Sequence, residues 1–258
     1  MKKIALFTIA TLSTLLTVAQ NFDKWKIAPR GSIGVGWMKP DSKFITNEGN
    51  SLRFGFGMMI DKHFTENYAI GTGIEISQYG GSLSFRETGR IAGQDVIWRT
   101  QREYDLRYIE IPLTLKLRTN EIGYITYWGQ FGITAGMNFR AKADDEIDYE
   151  SVKFQTDAST NWIKSDLPSL TSLDNDIKDD IQLFRVGLLV GAGIEYGLSG
   201  NTSLIAGITY NNGFTNALKG DHVQTDDRDE VVFESQKPKT SKLKAMTNII
   251  SLNVGIKF

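Results

Sequence analysis

The sequence predicts an all-β protein, an eight-stranded antiparallel up-and-down transmembrane β-barrel with a filled lumen. Three observations predict it: apolar and polar residues alternate in eight separate segments, the connections between segments alternate between long and short, and glycines gather on the nonapolar parity of the strands. The composition agrees, with 25 glycines, 5 prolines and 11% aromatic residues in 258, a length that all-β barrels use as a single unit.

The amino terminus reads as a targeting segment. Lys2 and Lys3 precede the apolar run IALFTIATLSTLLTV, which closes on the small-x-Ala pattern Thr17-Val18-Ala19. That is the build of a cleaved signal peptide over residues 1–19, and the run is too short and too rich in Thr and Ser for a spanning helix of about 20 apolar residues. Residues 20–258 are then the mature barrel domain, with no second long apolar run. A barrel spans a membrane in short alternating segments instead.

The carboxyl-terminal segment alternates most cleanly, with Ile250, Leu252, Val254, Ile256 and Phe258 against Ser251, Asn253, Gly255 and Lys257. The same period of two sets Ile109, Ile111, Leu113, Leu115 and Leu117 against Glu110, Pro112, Thr114 and Lys116. Segment 51–61 carries Leu52, Phe54, Phe56, Met58 and Ile60 on one face; segment 69–77 carries Ile70, Ile74 and Ile76; segment 182–198 carries Phe184, Val186, Leu188, Val190, Ile194 and Tyr196. Weaker runs at 31–38, 123–140 and 202–212 complete the set. Short connections fall near 62–66, 119–122 and 199–201, and long ones near 39–50, 80–103, 141–180 and 214–243. Outer-membrane barrels show this asymmetry, with tight periplasmic turns and long outer loops, so both chain ends are expected in the periplasm.

A soluble eight-stranded barrel keeps its apolar side chains inside. Here the nonapolar faces argue the reverse. They hold Arg53, Glu75, Glu110, Lys116, Gln130, Arg185, Glu195 and Lys257 together with ten glycines, among them Gly57, Gly73, Gly136 and Gly193. Glycine is poor in a strand and poor on a solvent face. Lining a narrow lumen, it makes room for long charged groups from neighbouring strands. The expected lumen charge network is Arg53, Glu75, Glu110, Lys116, Arg185, Glu195 and Lys257, pairing across a plugged interior. Tyr68, Tyr124, Tyr127, Trp128, Tyr196 and Trp37 lie near strand ends and are expected in aromatic girdles at the two interfaces. Pro112 removes a ladder donor from a central strand, so a bulge is expected there.

Several chemistries are excluded or weakened. With no cysteine there is no disulfide, thiolate metal site or catalytic thiol. A formal charge of −1 from 29 basic and 30 acidic residues gives no basic face for nucleic acid. The triplets GVG, GFG, GTG and GAG lie inside alternating strands, whereas a phosphate cradle needs a strand, a glycine turn and a helix. No cofactor and no metal site are expected. His222, beside Asp221 in an outer loop, and His63, on a periplasmic turn, are too far apart in this topology to form a constellation.

The stretch YIEIPLTLKLRTN at 108–120, the aromatic strand YITYWGQFGITAGMNF at 124–139 and the terminal VGIKF resemble the PorT-like outer-membrane β-barrel family. The resemblance in organisation covers the mature chain and is concentrated in 104–139 and at the carboxyl end. It implies a small barrel, with a namesake that is an accessory of type IX secretion. It also implies that Phe258 serves as the aromatic end read by the barrel-assembly machinery, although a lipid-facing strand ending in Phe has the same form.

Segment 141–180 carries eleven acidic residues against four lysines. Hard oxygen ligands suit divalent cations near lipopolysaccharide, but the spacing lacks the D-x-[DN]-x-[DN]-G pattern, and a solvated acidic loop is the expectation. Within it Leu167, Leu170, Leu173 and Ile177 recur at helical spacing after Ser165, which predicts a short amphipathic helix on the barrel mouth, anchored by Trp162. This loop, through Trp162, Asp144, Asp145, Glu146 and Asp148, is the expected partner-binding surface. The expected protein is therefore a non-catalytic integral outer-membrane barrel, structural or accessory to secretion, with membrane lipid, lipopolysaccharide, the assembly machinery and secretion-system proteins as partners. A barrel enzyme with a rim site and a passive small-solute pore are the alternatives.

Overall fold

The computed structural model describes residues 25–91, 93–155, 160–164, 166–226, 230–235 and 237–258. The expected signal peptide at 1–19 lies outside them. Eight long strands form a closed antiparallel ring: β1 (Trp25–Pro40), β2 (Ser51–His63), β3 (Tyr68–Ile91), β4 (Gln94–Arg118), β5 (Ile125–Gln155), β6 (Phe184–Ser199), β7 (Thr202–Gly213) and β8 (Ala245–Lys257). Each pairs with its neighbour in sequence, and β8 returns to β1. The terminal Phe258 belongs to that seam, since its N–H donates to the Ile27 carbonyl at 2.9 Å.

Following partners around the ring from Trp25 through Lys62, Ile70, Leu115, Phe131, Val190, Tyr210 and Ile250 arrives at Val35, ten residues further along β1. Eight strands with that stagger tilt by about 40° and enclose a backbone radius of about 8 Å, room for side chains and little else. At one end the strands are joined by tight turns, where Gly200 adopts the left-handed φ of 56° between Ser199 and Thr202.

The apolar parity faces outward. Phe54, Phe56, Ile74, Ile111, Leu113, Phe131, Ile133, Ile208 and Leu252 are all exposed, forming a belt around the ring. Tyr68, Tyr124, Tyr127 and Tyr196 stand exposed at its short-turn edge, and Phe139, Phe184 and Phe214 at the other. Trp37 also faces outward, stacked on Tyr210 with ring centroids 6.0 Å apart. Trp128 corrects the girdle assignment. It is 5% exposed and points into the lumen, because its even parity in β5 is that of Thr126 and Gln130, both buried.

The long excursions at 80–103 and 141–180 are not loops. Strands β3, β4 and β5 run on through them as a sheet beyond the belt, joined by Thr160–Lys164 and Leu170–Asp176 pairing on β5. Above the belt the parity rule inverts in chemistry while the strand continues. Along β4 the outward residues change from Leu113, Ile111 and Ile109 to Arg107, Asp105, Glu103 and Gln101, and the inward ones from Lys116 and Glu110 to Tyr108, Leu106 and Tyr104. A sheet in water buries its apolar face, so one strand obeys two solvents in turn.

Two further expectations are corrected. The segment expected as an amphipathic helix forms the strand Leu170–Asp176 followed by a single 3₁₀ turn, Lys178–Asp180. Pairing with β5 wins over helical spacing, and only Ile177 of the four apolar residues is buried while Leu167, Leu170 and Leu173 are exposed. No bulge forms at Pro112: the pairing with Thr134 stays in register, and on the β3 side the ladder stops between Leu113 and Glu110 and resumes unshifted. The missing N–H removes bonds without inserting a residue. The register shifts lie higher: one where Arg107 faces Arg140 and Tyr108 faces Asn138, leaving Phe139 as the extra residue, and a second between Ile97 and Trp98.

Candidate functional site

Within the belt the inward side chains form connected polar groups. Near the short turns Glu195 accepts from Arg118 Nη2 at 2.7 Å, lies 3.1 Å from Lys116 Nζ and pairs with Lys257. Lys116 also reaches Asp61 at 2.8 Å and sits 5.0 Å from the Trp128 ring centroid. Five charged residues from four strands thus tie opposite walls together. Glycines admit Trp128: a Cβ at Gly193 would stand 2.6 Å from its ring, and one at Gly207 would also collide with it.

Midway, Arg30 makes a bidentate pair with Glu75 at 3.0 and 2.8 Å, across Gly57, where a Cβ would press on the Glu75 side chain. Toward the far end Glu110 accepts from Tyr79 Oη and Arg185 Nη1, both at 2.8 Å. Arg185 is 2% exposed and donates further to Thr247 Oγ1, Asn211 Oδ1 and the Thr247 carbonyl, with its guanidinium carbon 3.9 Å from the Tyr79 ring centroid. Such a buried charge is tolerable only when its donors are met. Arg53 stands apart, donating to the Tyr104 carbonyl at 2.6 Å with Glu103 and Asp105 at 3.5 and 3.9 Å.

Six of the seven residues expected in the lumen therefore fall into three groups rather than one network, and Arg53 belongs to none of them. Arg30, Asp61, Arg118, Tyr79 and Trp128 complete those groups and were missed. Parity was the available signal: each lies on the inward register of its own strand, Arg30, Asp61, Arg118 and Tyr79 at or just beyond the ends of the segments 31–38, 51–61, 108–118 and 69–77, and Trp128 inside segment 123–140. Two interior gaps among the described residues are small, about 30 Å³ beside Arg30 and Glu75 and about 20 Å³ beside Lys116 and Trp128, each enough for a water or two.

Beyond the belt the mouth is closed by an apolar cap. Met38, Ile45, Leu83, Phe85, Tyr104, Leu106, Tyr108, Ile177, Ile181, Leu218, Leu243 and Ile249 form one buried cluster, contributed by the strand extensions and by the 214–243 segment folded back over the opening. That segment carries two small ladders, Asp221–Val223 with Thr240–Lys242 and Phe233–Glu234 with Lys237–Pro238. His222 is buried there under the Phe44 ring, its Nδ1–H donating to the Val223 carbonyl at 3.1 Å and its Nε2 accepting from Ser241 Oγ at 2.9 Å. Burial pushes its pKa below the usual histidine value. Asp221, the adjacent carboxylate, points away to Lys242 at 3.0 Å.

The acidic segment is more structured than a solvated loop. Asp145 is buried and pairs with Arg102 at 3.0 Å, and it also accepts from Asn175. Asp144 accepts from the Asp174 N–H at 2.7 Å, Asp148 accepts from Ser169, and Glu146 is exposed. Trp162 packs on Phe233 with ring centroids 5.4 Å apart, linking two excursions. These five residues are spread along the sheet and do not converge on a point.

A family model described as an outer membrane protein beta-barrel domain matches residues 18–219. No curated protein matches the sequence. Among solved structures the chain is similar to the outer membrane protein OprG from Pseudomonas aeruginosa, at 11% identity over 91% of this chain and 96% of that one, with a TM-score of 0.48. It is also similar to Neisserial surface protein A, at 11% identity over 90% and 97% with a TM-score of 0.40. Ail, the attachment invasion locus protein of Yersinia pestis, shares 13% identity over 90% and 98% with a TM-score of 0.33.

Proposed function

Because this chain belongs to the outer membrane protein beta-barrel domain family, we propose that it is a closed, non-catalytic barrel of the outer membrane that presents its β-rich cap to the exterior and acts through that cap. One observation carries the reading: the lumen is filled and the mouth is sealed by a soluble-type apolar core, so the features left free to act are the outer surfaces of the sheet extensions. Long excursions on a rigid scaffold commonly carry recognition. The resemblance to PorT-like proteins makes accessory service in type IX secretion the specific form we favour, with Phe258 as the end engaged by the assembly machinery.

The absence of cysteine makes the orientation directly testable. Leu173→Cys, in the excursion, is expected to react with a membrane-impermeant maleimide on intact cells, and Glu66→Cys, in a short turn, only after the cells are broken. The opposite pattern overturns the orientation, and recovery of the protein from the soluble periplasmic fraction overturns membrane integration. Loss of the chain is expected to deplete proteins from the culture medium. An unchanged medium separates the secretion role from the scaffold role.

A further inference from the structure

Of the lumen arginines, Arg53 donates to the Tyr104 carbonyl at 2.6 Å with carboxylates no nearer than 3.5 Å, and Arg30, Arg118 and Arg185 are bonded to carboxylates at 2.7 to 3.0 Å. Two arginines on the outer wall are not. Arg107 of β4 and Arg140 of β5 stand directly opposite each other across the ladder, and like charges in that relation repel. Their nearest carboxylates are Asp105, 3.5 Å from Arg107, and Asp174, 3.9 Å from Arg140, both longer than the 2.7–2.9 Å of a charge-assisted hydrogen bond. The Nε of each is buried without a hydrogen-bond partner, as it is also in Arg53 and Arg118, while the side chains as wholes stay 32% and 42% exposed. Among the described residues the pair's counter-charges are therefore two ion-pair contacts without hydrogen-bond geometry, one of them shared, since Asp174 also pairs with Lys142 at 3.1 Å.

The pair's level in the wall points to what completes its neutralisation. Immediately toward the short turns the outward residues are Ile109, Met137 and Phe139, all exposed members of the apolar belt. On the other side they are Asp105, Lys142 and Asp144, which belong to water. The pair sits on the boundary, where the register shift at Phe139 turns the chain. Lipid phosphates occupy that boundary. Guanidinium forks match phosphate oxygens bidentately, and two facing forks supply the two positive charges that a phosphomonoester balances, where a diester brings one.

We propose that Arg107 and Arg140 bind the phosphomonoester of a membrane lipid whose acyl chains lie on Ile109, Met137 and Phe139. The site rests on the reading that the belt is the membrane-spanning surface. Orientation does not enter its test, so the two readings fail separately.

The test is native mass spectrometry of the detergent-purified protein titrated with diphosphoryl lipid A, phosphatidic acid, phosphatidylglycerol or inorganic phosphate. The wild type is expected to retain the two phosphomonoester lipids over phosphatidylglycerol, and Arg107→Gln/Arg140→Gln to retain them roughly tenfold less. Arg90→Gln, at the far tip of the β3–β4 hairpin, is expected to behave as wild type. Equal retention by the double variant, equal retention of phosphatidylglycerol, or displacement of lipid by inorganic phosphate at matched concentration would each overturn the proposal. Arg107→Lys/Arg140→Lys, which keeps the charge but loses the forks, is expected to fall between the wild type and the Gln pair. That ranking among folded, heat-modifiable proteins keeps the test sound if the Gln pair folds poorly; a Lys pair no better than the Gln pair at equal folded yield leaves charge without a role and also counts against the site.

Discussion

Three cations, Lys116, Arg118 and Lys257, converge on the single carboxylate of Glu195; Lys116 has a second carboxylate in Asp61, and Arg118 also bonds His63 Nε2 at 3.2 Å. Removing one member of a buried ion pair strands the others, at a cost of about 3–5 kcal/mol. Glu195→Gln is therefore expected to lower the unfolding free energy of the refolded barrel by about 3–5 kcal/mol, read from its urea unfolding curve, and adding Lys257→Met to the same chain is expected to recover part of it, as a double-mutant cycle would read. His222 gives a pH prediction. Its folded pKa lies below the unfolded value near 6.5, so the unfolded form binds the extra proton first. The stabilisation is complete above that pH and is lost as pH falls through it. Proteolysis within 214–243 is expected to be faster at about pH 5 than at about pH 7.5, with His222→Gln losing the difference. An unaltered ratio in the variant would assign the effect to other groups.

At the scale of elements, the belt half of every strand was legible from alternation alone. In β8 and in the lower half of β4 no competing pattern exists, and membrane and lumen demand opposite chemistries at successive residues. The cap half was not legible, because the same strands there exchange apolar-out for apolar-in. Residues 80–103 then lose the outward greasy face by which the strand was tracked. The leucines of 167–177 misled for a related reason. Helical spacing identifies a helix only if the apolar face is buried, and Leu173 is 70% exposed on a strand paired to β5. Leu173→Asp is accordingly expected to change stability by less than about 0.5 kcal/mol. Leu106→Asp, placing a charge in the cap core, is expected to expose the 214–243 segment to protease at neutral pH. Equal behaviour of the two variants would contradict the inverted parity.

For the whole molecule, a stagger of ten over eight strands sets a radius that side chains fill, and three polar groups in series are sealed by the apolar cap. Planar bilayers containing the refolded protein are expected to show no stable conductance steps. Steps that persist after the fold is verified by heat modifiability would mean that the cap opens. The same geometry accounts for the glycines, since a tilt of about 40° brings neighbouring inward residues close enough that Trp128 and Glu75 need bare backbone opposite them.

The sequence by itself determined the strand number, the parity of each wall, the long and short ends and the charge of the interior. All of these follow from a period of two read against two solvents. Only the tertiary structure decided which charges meet, that the excursions are sheet, and that their apolar residues close the mouth. Those outcomes depend on register between strands distant in sequence. A one-residue shift, such as the extra Phe139, redirects every side chain beyond it.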